Sequence, residues 1–167
     1  IVSRRVDFPV QDTSMSHFKY NHPQIKRIIC VSEAIKEVMA LSIEEKEKLV
    51  VVHSGIDPRR FQGVEGQGRL REEFDIPDDF ALIGNVSALA PHKDYPTFID
   101  TAKVLIEEGL KAKFLAIGEG PSRKEVIQKI KDSEMGDHII LCGFRGDIPV
   151  VLRELDLFLM TSTTEGL

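Results

Sequence analysis

The stretch Phe80-Ala81-Leu82-Ile83-Gly84-Asn85-Val86-Ser87-Ala88-Leu89-Ala90-Pro91-His92-Lys93, continuing from Asp94 to Ala102, decides the fold. An apolar run ends in small residues, and a short loop with Pro91, His92 and Lys93 follows. Phe98, Ile99, Ala102, Leu105 and Ile106 then recur at helical spacing. Strand, loop with a lysine, helix: this is the opening unit of a nucleotide-binding α/β domain. Open α/β sheets bind ligands outside the carboxyl ends of their strands. Lys93 is expected there, beside a helix N-terminus whose free N–H groups favour a phosphate. A solvated surface lysine is the plain alternative.

Working outward, the pattern after Phe80 is regular. Strand 80–87 leads to helix 95–108, ended at Gly109. Strand 112–117 leads through Gly118-Glu119-Gly120-Pro121 to helix 122–133. Strand 138–142 leads through Gly143-Phe144-Arg145-Gly146-Asp147 to helix 148–154. Strand 156–160 leads to Thr161-Ser162-Thr163-Thr164-Glu165-Gly166-Leu167. Strict alternation predicts right-handed crossovers and a parallel sheet. These strands are roughly half to two-thirds of a doubly wound sheet. The chain begins at Ile1 rather than Met, so a fragment of a longer or processed protein is expected.

Upstream, residues 3–8 read as a short strand ended by Pro9, and residues 11–16 as loop before an aromatic-basic patch at Phe18, Lys19 and Tyr20. Ile28 to Val31 is a buried-strand candidate, and Ser32 caps a helix over 33–39. Ser42, with Glu45 three residues on, has the capping-box pattern of a second short helix. Leu49 to His53 reads as a strand, Val64 to Gly68 as a glycine-rich linker, and Leu70 to Phe74 as a short helix. The expected division is residues 1–60 and residues 61–167.

The 167 residues are 42% hydrophobic and 29% charged, which suits a packed core and argues against disorder. A net charge of −5 argues against a dedicated nucleic-acid binder. Residues 1–60 hold ten Lys/Arg against eight Asp/Glu, and the remainder twelve against nineteen. Cys30 and Cys142 lie in apolar runs and read as two buried free thiols, with no disulfide assigned. No apolar run approaches the ~18 residues of a membrane span, and no signal-peptide pattern is visible.

Several loops end strands with small or polar residues. Gly118-Glu119-Gly120 is a GxG after a strand, but Arg123 stands where a dinucleotide fingerprint needs its third glycine. A tight turn opened by Pro121 is the simpler reading. The loop from Gly143 to Asp147 can bring backbone close to a flat ligand, or can be only a strand-to-helix turn. Glu165 can accept hydrogen bonds from sugar or ribose hydroxyls, or can cap a helix. No zinc spacing, Walker A loop or nucleophile elbow occurs, and the five histidines have no acid partner placed by sequence.

Six segments, in order, resemble the GT-B-fold retaining glycosyltransferases of family 4, or group 1. Ile29-Cys30-Val31-Ser32-Glu33-Ala34 resembles the family's "VSE" strand and helix. Val52-His53-Ser54-Gly55-Ile56-Asp57 with Phe61 resembles its "NGVD…F" connection, and Ala88 to Asp94 its "RLxPxKG". Ile117 to Pro121 resembles "GxGP", Leu141 to Phe144 "FLG", and Ser162 with Glu165-Gly166-Leu167 "S..EGLG". The resemblance covers residues 26–167. It implies a Rossmann-like parallel sheet with flanking helices, of GT-B type and incomplete in this chain. The first sixty residues would be the tail of the N-terminal, acceptor-side domain, and the rest a truncated donor-binding domain.

The resemblance also implies roles. Lys93 would hold the diphosphate of a donor such as a UDP- or GDP-sugar. Gly143, Phe144, Arg145 and Ile148 would lie against the base, with Gly118 and Gly120 in another donor-cleft loop. Glu165 would be the catalytic residue, its acidic side chain contacting the transferred sugar, and the amides of Gly166 and Leu167 would lie near sugar or phosphate. No metal or cofactor is implied, and the acceptor would be a sugar or lipid-linked, used in polysaccharide or glycolipid synthesis. Cytoplasmic protein at the inner membrane face is the implied setting. Two departures stand out: Ala88 replaces the family arginine, and the second glutamate of E-x7-E is not in this sequence. The isolated fragment is expected to be inactive or nearly so, because the acceptor site and half the donor site would be missing. A nucleotide-sugar 2-epimerase of the same fold and a non-catalytic nucleotide-sugar binding domain are the alternatives.

Overall fold

The computed structural model describes residues 1–5, 10, 13–66 and 68–165. The chain divides into two units: Ile1–Asp57 with the segment that starts at Thr164, and Pro58–Thr163.

In the first unit, β1 (Val2–Arg4), α1 (Ser14–Asn21), β2 (Ile28–Cys30), α2 (Glu33–Ala40) and β3 (Leu49–Val51) follow in order. The strands form a parallel sheet, β1-β2-β3, with Ile28 paired to Val2 on one side and Leu49 on the other. Ile28, Cys30, Ile35, Met39 and Leu49 pack as its core. The predicted cap on α2 is present: Ser32 Oγ accepts the Ile35 amide at 3.3 Å. Two expectations need correction. Residues 14–16, read as loop, are the first turn of α1, because Thr13 Oγ1 accepts the Ser16 amide at 3.2 Å. The second helix expected at Ser42 does not form. Asn21 Nδ2 donates to the Ser42 carbonyl (3.1 Å) and its Oδ1 accepts from the Glu44 amide (2.9 Å), and only a 3₁₀ turn over Lys46–Lys48 follows. Of the strand expected over 3–8, residues 6–8 lie outside the described residues.

The second unit holds α3 (Arg69–Glu73), β4 (Ala81–Val86), α4 (Tyr95–Glu107), β5 (Ala112–Ile117), α5 (Arg123–Asp132), β6 (Ile139–Gly143), α6 (Ile148–Glu154) and β7 (Leu157–Phe158). The sheet is parallel, in the order β6-β5-β4-β7. Alternation along the strands sorts the core into two layers. Ile83, Phe114 and Ala116 pack with Phe98, Ile99 and Val126 of α4 and α5. Leu82, Leu115 and Ile117 pack with Leu70 of α3 and Val151 of α6. Phe98 meets Phe114 edge-on at 5.9 Å. Gly68 has no side chain with which to cap α3, and Glu154 of α6 does so instead, accepting the Arg69 and Leu70 amides at 3.1 and 2.8 Å.

Strand 156–160 is shorter than expected: only Leu157–Phe158 is strand, although the Asp156 and Leu159 amides still donate to the Leu82 and Gly84 carbonyls at 2.9 Å, and side chains add bonds at both ends. The Asp156 carboxylate accepts from the Leu82 amide at 2.7 Å, and Asn85 Nδ2 donates to the Leu159 carbonyl at 2.8 Å. Helix α5 starts at Arg123, two residues past Pro121. The two cysteines are free thiols.

Candidate functional site

The loops after β4, β5 and β6 converge at the carboxyl end of the sheet. The first runs from Ser87 to Asp94 and is held down by Leu89, which is fully buried. Pro91–Lys93 form a 3₁₀ turn, and Asp94 adopts φ 47° as the N-cap of α4. Its carboxylate accepts the Thr97 amide at 3.3 Å and the Thr97 hydroxyl at 2.6 Å. This corrects one expectation. The α4 N-terminus beside Lys93 is not an open anion cradle, because the helix carries its own carboxylate there and Pro96 offers no N–H.

The second loop explains its glycines by proximity rather than by turn geometry alone. Gly118 has φ 141°, and a Cβ on it would lie 2.0 Å from the Ser87 carbonyl oxygen. The Gly118 amide donates to the Gly143 carbonyl at 2.8 Å, which joins the second loop to the third.

The third loop begins at Gly143, φ 68°. Phe144 is 82% exposed. Arg145 is pinned by two carboxylates. Nε and Nη2 donate to Asp147 at 2.9 and 2.8 Å, and Nη1 donates to both Glu73 oxygens at 2.8 Å. This fork holds the Asp147 carboxyl below the usual carboxylate range and raises the Arg145 guanidinium further. Burial pushes the neighbouring Cys142 thiol up to about 12.

Between the loops lies a hollow of about 350 Å³. Ser87 and Ala88 line it from the first loop, Gly118 and Glu119 from the second, and Phe144, Arg145 and Ile148 from the third. Of the predicted donor-side residues, Gly118, Phe144, Arg145 and Ile148 therefore share one surface. Lys93, Gly120 and Gly143 are not among its lining residues. The half-buried Lys93 is held through its backbone carbonyl, 3.0 Å from Thr161 Oγ1. Glu165 groups with the first unit, and Gly166 and Leu167 lie outside the described residues.

Sequence reasoning missed Glu119 as a lining residue; its carboxylate pairs with Arg123 at 3.1 Å. It also missed Asn85, whose signal was present: an amide side chain inside the apolar run Ile83 to Val86. Nothing in the sequence marked Tyr95 or Thr161. The hollow has apolar walls (Ile117, Phe144 and Ile148), backbone at close approach, and a carboxylate at one side. Such a surface can take a flat ring with hydrogen-bonding edges.

The profile described as "Glycosyl transferases group 1" matches residues 66–167. Among curated proteins, the chain is 27% identical over 145 residues to 2-deoxystreptamine glucosyltransferase of Streptomyces kanamyceticus, covering 84% of this chain and 38% of that protein. It is 27% identical over 146 residues to UDP-Gal:alpha-D-GlcNAc-diphosphoundecaprenol alpha-1,3-galactosyltransferase of Escherichia coli, again covering 84% and 38%. The chain thus spans less than half the length of these relatives. Among solved structures, Anabaena Alr3699/HepE in complex with UDP and glucose superposes with a TM-score of 0.81 at 19% identity, over 98% of this chain and 46% of that one. That likeness concerns the fold, and the profile concerns descent: the chain belongs to the glycosyl transferases group 1 family, and its helix-flanked parallel sheets are those of GT-B glycosyltransferases.

Proposed function

We propose that the chain is the donor-binding part of a retaining glycosyltransferase that transfers a hexose from a nucleotide-diphosphate sugar to a sugar or lipid-linked acceptor. The observation that carries the reading is the hollow over the carboxyl ends of β4, β5 and β6, in a chain of this family. Its apolar walls suit a nucleobase, and open α/β sheets take nucleotides at this edge. The relatives support it by name: one is a UDP-Gal-dependent transferase acting on a diphosphoundecaprenol acceptor, and the structural neighbour was solved with UDP and glucose.

In this reading the base lies against Phe144 and Ile148, with Gly143, Gly118 and Gly120 letting backbone approach the nucleotide. Arg145, pinned by Glu73 and Asp147, shapes the wall. Lys93 and the amides of Gly166 and Leu167 stabilise charge as it develops on the leaving diphosphate, without a metal ion. Glu165 holds hydroxyls of the transferred sugar, so the oxocarbenium-like centre forms in a fixed orientation. Residues 1–60 are the end of the acceptor-side domain, and the isolated chain is inactive because the remaining acceptor and donor surfaces belong to a longer protein. Synthesis of polysaccharide or glycolipid in the cytoplasm, at the inner membrane face, is the proposed setting. Among the described residues no helix is long and apolar enough to cross a membrane.

The test is titration of the full-length protein with UDP and GDP, then transfer from the matching sugar nucleotide with and without EDTA. Binding of one nucleotide, EDTA-insensitive transfer and an unchanged anomeric configuration in the product are expected. Binding of neither nucleotide would sink the reading. Epimerised donor formed without acceptor would replace it with the 2-epimerase. Ala88, standing where the family's arginine is expected, lines the hollow without adding charge. Nucleotide binding with no turnover of any donor would therefore point to a binding domain.

A further inference from the structure

Asn85 is polar, 1% exposed and set in the middle of the sheet. An amide so buried is tolerated only when bonded, and an apolar residue would pack there without that demand. Its bonds reach two separate segments. Nδ2 donates to the Leu159 carbonyl at 2.8 Å, in the segment that runs on to Glu165. Oδ1 accepts from Ser87 Oγ at 2.6 Å and from the Tyr95 hydroxyl at 3.3 Å, at the two ends of the segment that carries Lys93. Ser87 Oγ and the Tyr95 hydroxyl are themselves 3.1 Å apart, closing the triangle.

The same two segments meet again further from the strands. Thr161 Oγ1 lies 3.0 Å from both the Lys93 and the Asp94 carbonyl oxygens, so its one proton is shared between them. The Thr163 amide donates to the His92 carbonyl at 2.9 Å. Two attachments, one under the sheet edge and one at the turn, remove the freedom of either segment to move alone.

We propose that Asn85 and Thr161 are positioning residues that lock the Lys93 turn and the segment after β7 into one arrangement, presenting Lys93 to a nucleotide diphosphate already placed. The inference rests on the donor-site reading of Lys93. Its physical content is preorganisation: a turn ordered before binding does not have to be ordered during it. None of the bonding groups needs to touch the ligand.

The experiment combines amide hydrogen exchange with UDP and GDP titration of the full-length protein and three variants. Thr161→Val keeps the shape and removes the hydroxyl, Thr161→Ser restores it, and Tyr95→Phe keeps the buried ring and removes its bond to Asn85. Thr161→Val should accelerate exchange at the Lys93, Asp94 and Thr163 amides together, by about tenfold, while the Phe114 amide in β5 is unchanged. Nucleotide affinity should fall roughly three- to tenfold, the scale of one lost hydrogen bond, and Thr161→Ser should recover both. Tyr95→Phe should move the same amides in the same direction. Acceleration confined to one segment, or both segments loosened with affinity intact, overturns the proposal. A wild-type protein that binds neither nucleotide overturns the donor-site reading instead, and exchange alone then decides whether the segments are coupled.

Discussion

Gly120 lies so close to Leu89 that a Cβ on it would come within 2.3 Å of the Leu89 carbonyl oxygen. The same carbonyl accepts the Ser122 amide at 2.9 Å, and the Leu89 amide donates to the Glu119 carbonyl at 3.2 Å. Two loops from neighbouring strands are thus zipped backbone to backbone. Gly120→Ala must push them apart and should cost about 1–3 kcal/mol, the scale of overpacking. Gly118→Ala should cost at least as much, since its φ of 141° adds strain to a 2.0 Å clash. Gly146→Ala is the control, with nothing within 4 Å of the added carbon. Urea unfolding midpoints check all three, and equal midpoints for the alanine variants at 118, 120 and 146 would count against the zipper.

Arg145 lines the hollow and Lys93 does not, and the two cations should fail in opposite ways. Lys93→Ala keeps the backbone carbonyl that Thr161 holds, so the stability cost should not exceed about 1 kcal/mol, the scale of one surface polar contact. If Lys93 binds the diphosphate, affinity for UDP or GDP should fall roughly ten- to a hundredfold. Arg145→Ala leaves two carboxylates facing each other and should cost about 1–3 kcal/mol of stability, because its side chain is only 14% exposed. Thermal unfolding and titration on the same samples separate the two outcomes. Loss of affinity in Arg145→Ala alone would move the diphosphate to the third loop.

The Arg145 fork also predicts an acid limb. Asp147 is held below its ordinary value of 3.8 by hydrogen bonds from Arg145, so the folded state binds that proton less tightly than the unfolded chain does. Its contribution is fully present above the ordinary carboxylate range and is lost as pH falls through the lowered folded value. Unfolding midpoints between about pH 6 and pH 2 should drop more steeply in the wild type than in Asp147→Asn. Parallel curves would show that the fork is screened by solvent.

The thiols predict the alkaline side. Cys142 is pushed up to about 12 by burial, and Cys30 is raised for the same reason. A folded value above the unfolded value of 9.0 favours the native state below that pH, and the advantage is lost as pH rises toward 12. Since thiolate is the reactive form, iodoacetamide at about pH 8 should label both cysteines slowly in the native protein and quickly in denaturant. Rapid native labelling of Cys142 would mean that the third loop opens.

The order of elements and the class of fold follow from local pattern alone. Continuous apolar runs such as Phe114 to Ile117 and helical spacing such as Phe98, Ile99 and Ala102 are local, so the parallel α/β arrangement was legible, as was the Ser32 cap. The family motifs were legible too, since each is a short contiguous stretch within residues 26–167. Where side chains from distant positions bond to backbone depends on the folded chain. Asn21 holds the chain where a helix was expected at Ser42, Asp156 and Asn85 bond to backbone at the two ends of β7, and Asp94 caps the helix beside Lys93. A hydrogen bond made by a side chain 21 or 74 residues away leaves no period in the sequence. The glycines at 118 and 120 show the same limit: local reading sees a turn, but the reason for them is a carbonyl on another strand's loop.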